Sequence, residues 1–175
     1  LVGFTNQIVK LVSYVIKTKD TEEVFRLKYI QGGVLSTAEL SLSQAKSEIT
    51  DFAKLAKQEF SYAREAMRLC NSDKFDELYA KIEHYEQITD KVELEIANYL
   101  NNVSEGELSE ESGRRLQAMY KIISEIESLG DSGYNIARIL NRLRVHKKNF
   151  SDDVCDKLDH MFDLLDRAFD HMINN

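Results

Sequence analysis

The 175-residue chain contains no proline, seven glycines and two cysteines. Without proline, and with so little glycine, few residues interrupt long helices. Two cysteines, Cys70 and Cys155, are too few for a disulfide framework or a cysteine-ligated zinc site. Both fall among apolar neighbours, which reads as reduced, buried thiols in a reducing compartment. Basic clusters are scarce too. With 23 Lys+Arg against 30 Asp+Glu the net charge is −7, which argues against nucleic-acid binding as the main task, because phosphate contacts need grouped cations. No apolar run reaches the roughly 18 residues that span a bilayer. Residues 1–16 come nearest but are interrupted by Asn6, Gln7 and Lys10. No signal-peptide cleavage pattern is present. The first residue is Leu1 rather than Met, which reads as a fragment or a processed product.

The chain does have enough apolar residues for a core. Hydrophobic residues make up 43% and charged residues 30%, ordinary values for a globular protein of this size. Phe4, Ile8, Leu11 or Val12, and Val15 recur at helical spacing. Residues 1–17 are therefore a short amphipathic helix, either docked on the rest of the protein or the end of a membrane helix. Residues 18–35 read as a linker, extended over Phe25 to Tyr29 and broken by Gly32-Gly33.

Four longer helical patterns follow. Thr37 caps the first, whose apolar stripe is Leu42, Ala45, Ile49, Phe52, Ala56, Phe60, Ala63, Met67 and Cys70. Asn71-Ser72-Asp73 breaks and recaps the chain. The second stripe is Phe75, Leu78, Ile82, Tyr85, Ile88, Val92, Ile96, Tyr99 and Val103. The third helix starts near Ser109, with Leu116, Met119, Ile122, Ile126, Leu129, Gly133, Ala137, Leu140 and Leu143. Phe150-Ser151 opens the fourth as staple and cap, with Val154, Leu158, Met161, Leu165, Ala168 and Met172. Long helices joined by short loops lie antiparallel, so the predicted fold is all-α, an up-down bundle.

Two carboxylate pairs stand beside the apolar stripes: Glu86 and Asp90 on the second helix, Glu127 and Asp131 on the third. Residues four apart share one helical face, where like charges repel. If the two pairs face each other, four carboxylates converge, and protonation or a bound cation relieves the repulsion. All-oxygen donors suit Fe, Mn, Zn, Mg or Ca. The levels of the two pairs along their helices are compatible. Gly130 and Gly133 lie inside the third helix, each costing up to about 1 kcal/mol relative to Ala. Close approach of a neighbouring helix or of a bound group accounts for such positions.

The segment Ile126-Glu-Ser-Leu-Gly-Asp131-Ser-Gly-Tyr-Asn135-Ile-Ala137 resembles the signature of the PhoU family of phosphate-transport regulators. That signature reads roughly Leu-Glu-Arg-Ile-Gly-Asp-His-Ala, two further residues, then Asn-Ile-Ala. Glu86 and Asp90 fall at the family's other ExxxD motif, one helix earlier. The resemblance covers about residues 40–145 and a three-helix unit, with the fourth helix resembling the start of a second. Residues 25–30 with 35–40 are similar to the junction in bacterial sodium/phosphate cotransporters that carry a cytoplasmic PhoU-like domain. The resemblance implies a juxtamembrane segment and linker over 1–35 and a helical-bundle domain over 36–175. It implies a divalent or trivalent metal ion (Fe, Zn, Mn or Mg), in a multinuclear site, held by Glu86, Asp90, Glu127 and Asp131. It further implies a regulatory role without catalysis, at the cytoplasmic side of the inner membrane. The partners it implies are the transporter's membrane domain or a signalling protein, and a homodimer is open. Ser128 and Ser132 depart from the family's Arg and His.

The remaining features read more plainly. Asp152, Asp156, Asp159, Asp163, Asp166 and Asp170 lie opposite the fourth helix's stripe, as a solvated face or a contact for a basic partner. His84, His146, His160 and His171 are scattered and read as surface residues. No Glu-x-x-His pattern of the ferritin-like diiron type occurs, no Ser–His–Asp grouping and no phosphate-binding glycine loop. The basic end of the third helix, Arg142 to Lys148, reads as helix termination, with an anionic membrane surface as the other reading. Rival functions are a carboxylate-bridged metalloenzyme on a helix bundle and a metal-free helical adaptor.

Overall fold

The computed structural model describes residues 27–174. The expectations for residues 1–26, including the amphipathic helix, lie outside the described residues. Four helices account for most of what is described: α1 Ala38–Arg68, α2 Phe75–Ser104, α3 Glu110–Val145 and α4 Asp152–Asn174. Among the described residues there is no strand, and the predicted all-α bundle is the fold.

Local chemistry sets the ends. Thr37 caps α1 by accepting from the Leu40 amide, and Ser109 caps α3 by accepting from the Ser112 amide at 3.1 Å. The α2 start differs from expectation. Its N-cap is Lys74, without a side-chain cap, while the Ser72 hydroxyl accepts from the Lys74 amide at 3.0 Å. The α3 end turns through Lys147, which adopts φ 53.

The α1 helix is the shared element: α2, α3 and α4 all pack on it, α2 packs on α3, and among the described helices α4 packs on α1 alone. Its Ala45, Ala53, Ala56, Ala63 and Ala66 are fully buried, and these small side chains let three helices approach one rod. Leu42 and Phe52 fill the space between. Burial contributes about 25 cal/mol per Å² of apolar surface.

The inward faces deviate from the predicted stripes in an informative way. On α3, Ile123 is buried and Ile122 is exposed. On α2, Thr89 takes the interior place assigned to Ile88. On α4, Phe162 and Phe169 are the buried residues and Ala168 is exposed. Both phenylalanines meet Phe60 of α1, at ring-centroid distances of 5.8 and 6.1 Å. The aromatic contacts rotate α4, because two rings bury more surface than Ala168 and Met161.

Four of the six α4 aspartates, Asp159, Asp163, Asp166 and Asp170, pair with cations of α1, while Asp152 and Asp156 stay exposed. Arg64 reaches Asp159 at 2.8 Å, Asp163 at 2.6 Å and Asp166 at 3.2 Å. Arg68 shares Asp159, and Lys57 pairs with Asp170. These carboxylates hold the Arg64 guanidinium still more firmly protonated than usual and lower the Asp159 carboxyl below its ordinary range.

The described part of the linker is pinned rather than free, and it is bent rather than extended. Glu48, fully buried on α1, accepts from the backbone amides of Lys28 (3.0 Å) and Tyr29 (2.8 Å). Lys28 pairs with Asp51, and Ile30 enters the core. Gly33, at φ 78, closes the turn by donating to the Ile30 carbonyl. The cysteines are free thiols, half-buried rather than buried.

Candidate metal centre

Antiparallel packing of α2 and α3 sets their register. Tyr120 bonds Asn101 near one end and Tyr134 approaches Glu83 near the other. Between these points Asp90 comes level with Asp131. One carboxylate oxygen from each of Glu86, Asp90 and Asp131 lies within 4.8 Å of the other two. Three of the four predicted carboxylates thus meet across the helices. Glu127 does not join this trio. It lies one turn earlier on α3, in electrostatic reach of Asp131, Glu93 and Asp90.

Glu93 extends the acidic face by a turn on α2, opposite Glu127. It lies one turn beyond Asp90, so its spacing continues the same helical face. The resulting face carries Glu86, Asp90 and Glu93 on one helix and Glu127 and Asp131 on the other. Burial raises the carboxyl pKa of Glu86, Asp90, Glu93 and Glu127, and their acidic neighbours raise them further. Arg138 partly offsets this at Glu86.

Beneath this face lies Glu59 of α1. It is fully buried, its Oε1 has no hydrogen-bond partner, and its Oε2 stands 3.5 Å from the Thr89 hydroxyl. That hydroxyl already lies 2.9 Å from the Glu86 carbonyl and 3.1 Å from the Tyr85 carbonyl. With one proton to give, it satisfies Glu59 poorly. Burial pushes the Glu59 carboxyl up to about 8, helped by Glu86, Asp131 and Asp90 and opposed by Thr89. Glu59 is an acid at an inward position, where residue type alone points to the surface. Its spacing, three after Ala56 and four before Ala63, is that of the apolar stripe.

The two interior glycines now have their reason. A Cβ on Gly130 would come 3.2 Å from Glu59 Oε2 and 3.7 Å from the Thr89 hydroxyl. A Cβ on Gly133 would touch the Phe60 ring at 3.5 Å. Successive residues of α1 therefore use the gaps that α3 leaves. Ser128 and Ser132, where the family has Arg and His, bond locally to Glu127 and to the Ser128 carbonyl.

An all-carboxylate set with no histidine fits a hard, oxygen-seeking cation. All four histidines are exposed and none belongs to the acidic group. The fit is supported from within by the orphaned oxygen of Glu59, a buried acceptor that protein groups leave without a donor.

No curated protein and no solved structure matches the chain. The PhoU domain family does match, over residues 49–140, a stretch that starts in α1, ends in α3 and contains the whole acidic face. With more than half of its length so matched, the chain belongs to the PhoU domain family.

Proposed function

We propose that the chain is a metal-binding regulatory domain of a sodium-dependent phosphate transporter, acting in phosphate homeostasis on the cytoplasmic side of the inner membrane. Membership of a family of phosphate-transport regulators supports the regulatory reading. The mechanism is binding without turnover. A cation shared by Glu86, Asp90 and Asp131 offsets their repulsion, fixes α2 against α3 and shapes the surface seen by the transporter's membrane domain or a signalling partner. Glu127, with Glu93, supplies ligands for a second ion in a multinuclear site. Among the described residues no helix is long and apolar enough to cross a membrane, so the transporter reading rests on the resemblance of residues 25–40 to a cotransporter junction.

The observation that carries the metal reading is the approach of three carboxylates to within 4.8 Å. Like charges held this close by two helices repel, although Asp90 and Asp131 are exposed, and a shared counter-ion or protons relieve that repulsion. The test is bound metal in wild type against Glu127→Ala/Asp131→Ala, together with thermal unfolding with and without added metal. An ion bound only by the native state stabilises it by about 2.7 kcal/mol at a hundredfold excess over Kd. Equal metal content in both proteins removes the site, and a melting temperature indifferent to chelator and metal favours the metal-free adaptor. Oxygen- or peroxide-dependent turnover by the iron-loaded protein favours the metalloenzyme.

A further inference from the structure

We propose that Glu59 of α1 is a ligand to the cation held at the α2–α3 acidic face, closing that site from the bundle interior. The inference rests on the metal reading above and adds a third helix to it.

Three observations carry it. The first is a contrast between two equally buried glutamates on one helix. Glu48 and Glu59 are eleven residues apart, so they lie on nearly the same side of α1. Both are fully buried. Glu48 is satisfied by the backbone amides of Lys28 and Tyr29. Glu59 has one oxygen with no partner and another that shares a committed hydroxyl. A buried polar atom left unsatisfied is unfavourable by more than a typical hydrogen bond contributes, and a buried unpaired charge more so. A carboxylate in this position is stable when a cation completes it.

The second is placement. The residues that border the Glu59 carboxylate, Thr89 and Gly130, each immediately precede a carboxylate of the acidic face, Asp90 and Asp131. Glu59 therefore reaches the seam between α2 and α3 at the level of the trio, from the opposite side to solvent.

The third is the gap itself. With a side chain at position 130, a Cβ would stand 3.2 Å from Oε2 and 3.7 Å from the Thr89 hydroxyl. Glycine admits the carboxylate at the expense of helix propensity. Packing alone does not account for a glycine that makes room for an unpaired acid. A ligand contacted by that acid does.

The experiment uses the purified chain, stripped with chelator and titrated with Mn2+ alone. Free aqueous Mn2+ gives a sharp paramagnetic-resonance signal that is lost on binding, and the fine structure of the bound ion reports its ligand set. Wild type, Glu59→Gln and Asp131→Asn are compared. The expected result is binding by wild type, loss of binding in Asp131→Asn, and at least a tenfold weaker Kd with altered fine structure in Glu59→Gln. Unchanged affinity and fine structure in Glu59→Gln, with Asp131→Asn defective, overturn the role of Glu59 and leave the surface site standing. Wild type that fails to bind, or Asp131→Asn that binds equally, overturns the site and the role of Glu59 together. Gln matches the shape of a protonated Glu, so folding is expected to survive. If it does not, Glu59→Asp, which withdraws the carboxylate by one methylene, is read against the same two outcomes.

Discussion

Glu59 Oε2 on α1 occupies the space that Gly130 leaves open on α3, with a Cβ at 130 meeting it at 3.2 Å. At Gly133 the same added Cβ meets the Phe60 ring at an ordinary 3.5 Å. Gly133→Ala is therefore expected to stabilise the metal-free protein by about 0.5–1 kcal/mol through helix propensity. Gly130→Ala is expected to be at least about 1 kcal/mol less stable than Gly133→Ala, because the buried carboxylate must give way by a few tenths of an ångström. Urea unfolding in chelator checks this, and equal stability of the two variants contradicts it.

The acidic face makes a prediction about pH. Glu59 ionises near 4.5 when unfolded and at about 8 when folded. Its contribution to stability is full below the unfolded value and is lost as pH rises through the folded one. Glu86, Asp90, Glu93 and Glu127 are raised too and act in the same direction. The melting temperature of the chelated protein should fall between about pH 5 and pH 8.5. Glu59→Gln should flatten that fall, and added Mn2+ should reverse it. Asp51 and Asp159, lowered by their cationic partners, act oppositely and only under more acid conditions.

Arg64 binds three aspartates on successive turns of α4 while remaining 17% exposed. Exposed pairs contribute about 0.2–1 kcal/mol each, so Arg64→Met should loosen α4 by roughly 1–2 kcal/mol, with Phe162 and Phe169 retaining the rest of the attachment. Hydrogen exchange is the measurement. The amides of α4 should exchange faster in the variant while those of α2 and α3 do not. High salt should narrow the difference.

Glu48 holds the entry to α1 through two main-chain amides. Glu48→Ala should release Lys28 and Tyr29 to rapid exchange and destabilise the domain by about 1–3 kcal/mol. It should leave Mn2+ affinity within a few-fold of wild type, since the acidic face lies about 16 Å further along the helix.

Much of the fold was legible because period and capping agree. Thr37 and Ser109 mark two helix starts, and the absence of proline leaves the rods unbroken. The differences have one cause: hydrophobicity is an imperfect proxy for inward position. Thr89 displaced Ile88, Ile123 displaced Ile122, and Phe162 and Phe169 took the place of Ala168. Each true inward position follows from what the facing helix presents, which a single segment does not contain. The acidic pairs were legible from their i,i+4 spacing, and Asp90 with Asp131 met as anticipated. Glu59 was not, because a buried acid looks like a surface acid until its neighbours are known.

Three attachments lie along α1: the incoming chain at Glu48, the acid beneath the cluster at Glu59 and the docking of α4 at Arg64. They are spaced by about 16 and 8 Å on one unbroken helix. No one of them can shift lengthwise without carrying the other two. Tension on the lead into the domain, occupancy of the acidic pocket and the seating of the last helix are thus mechanically geared through a common shaft.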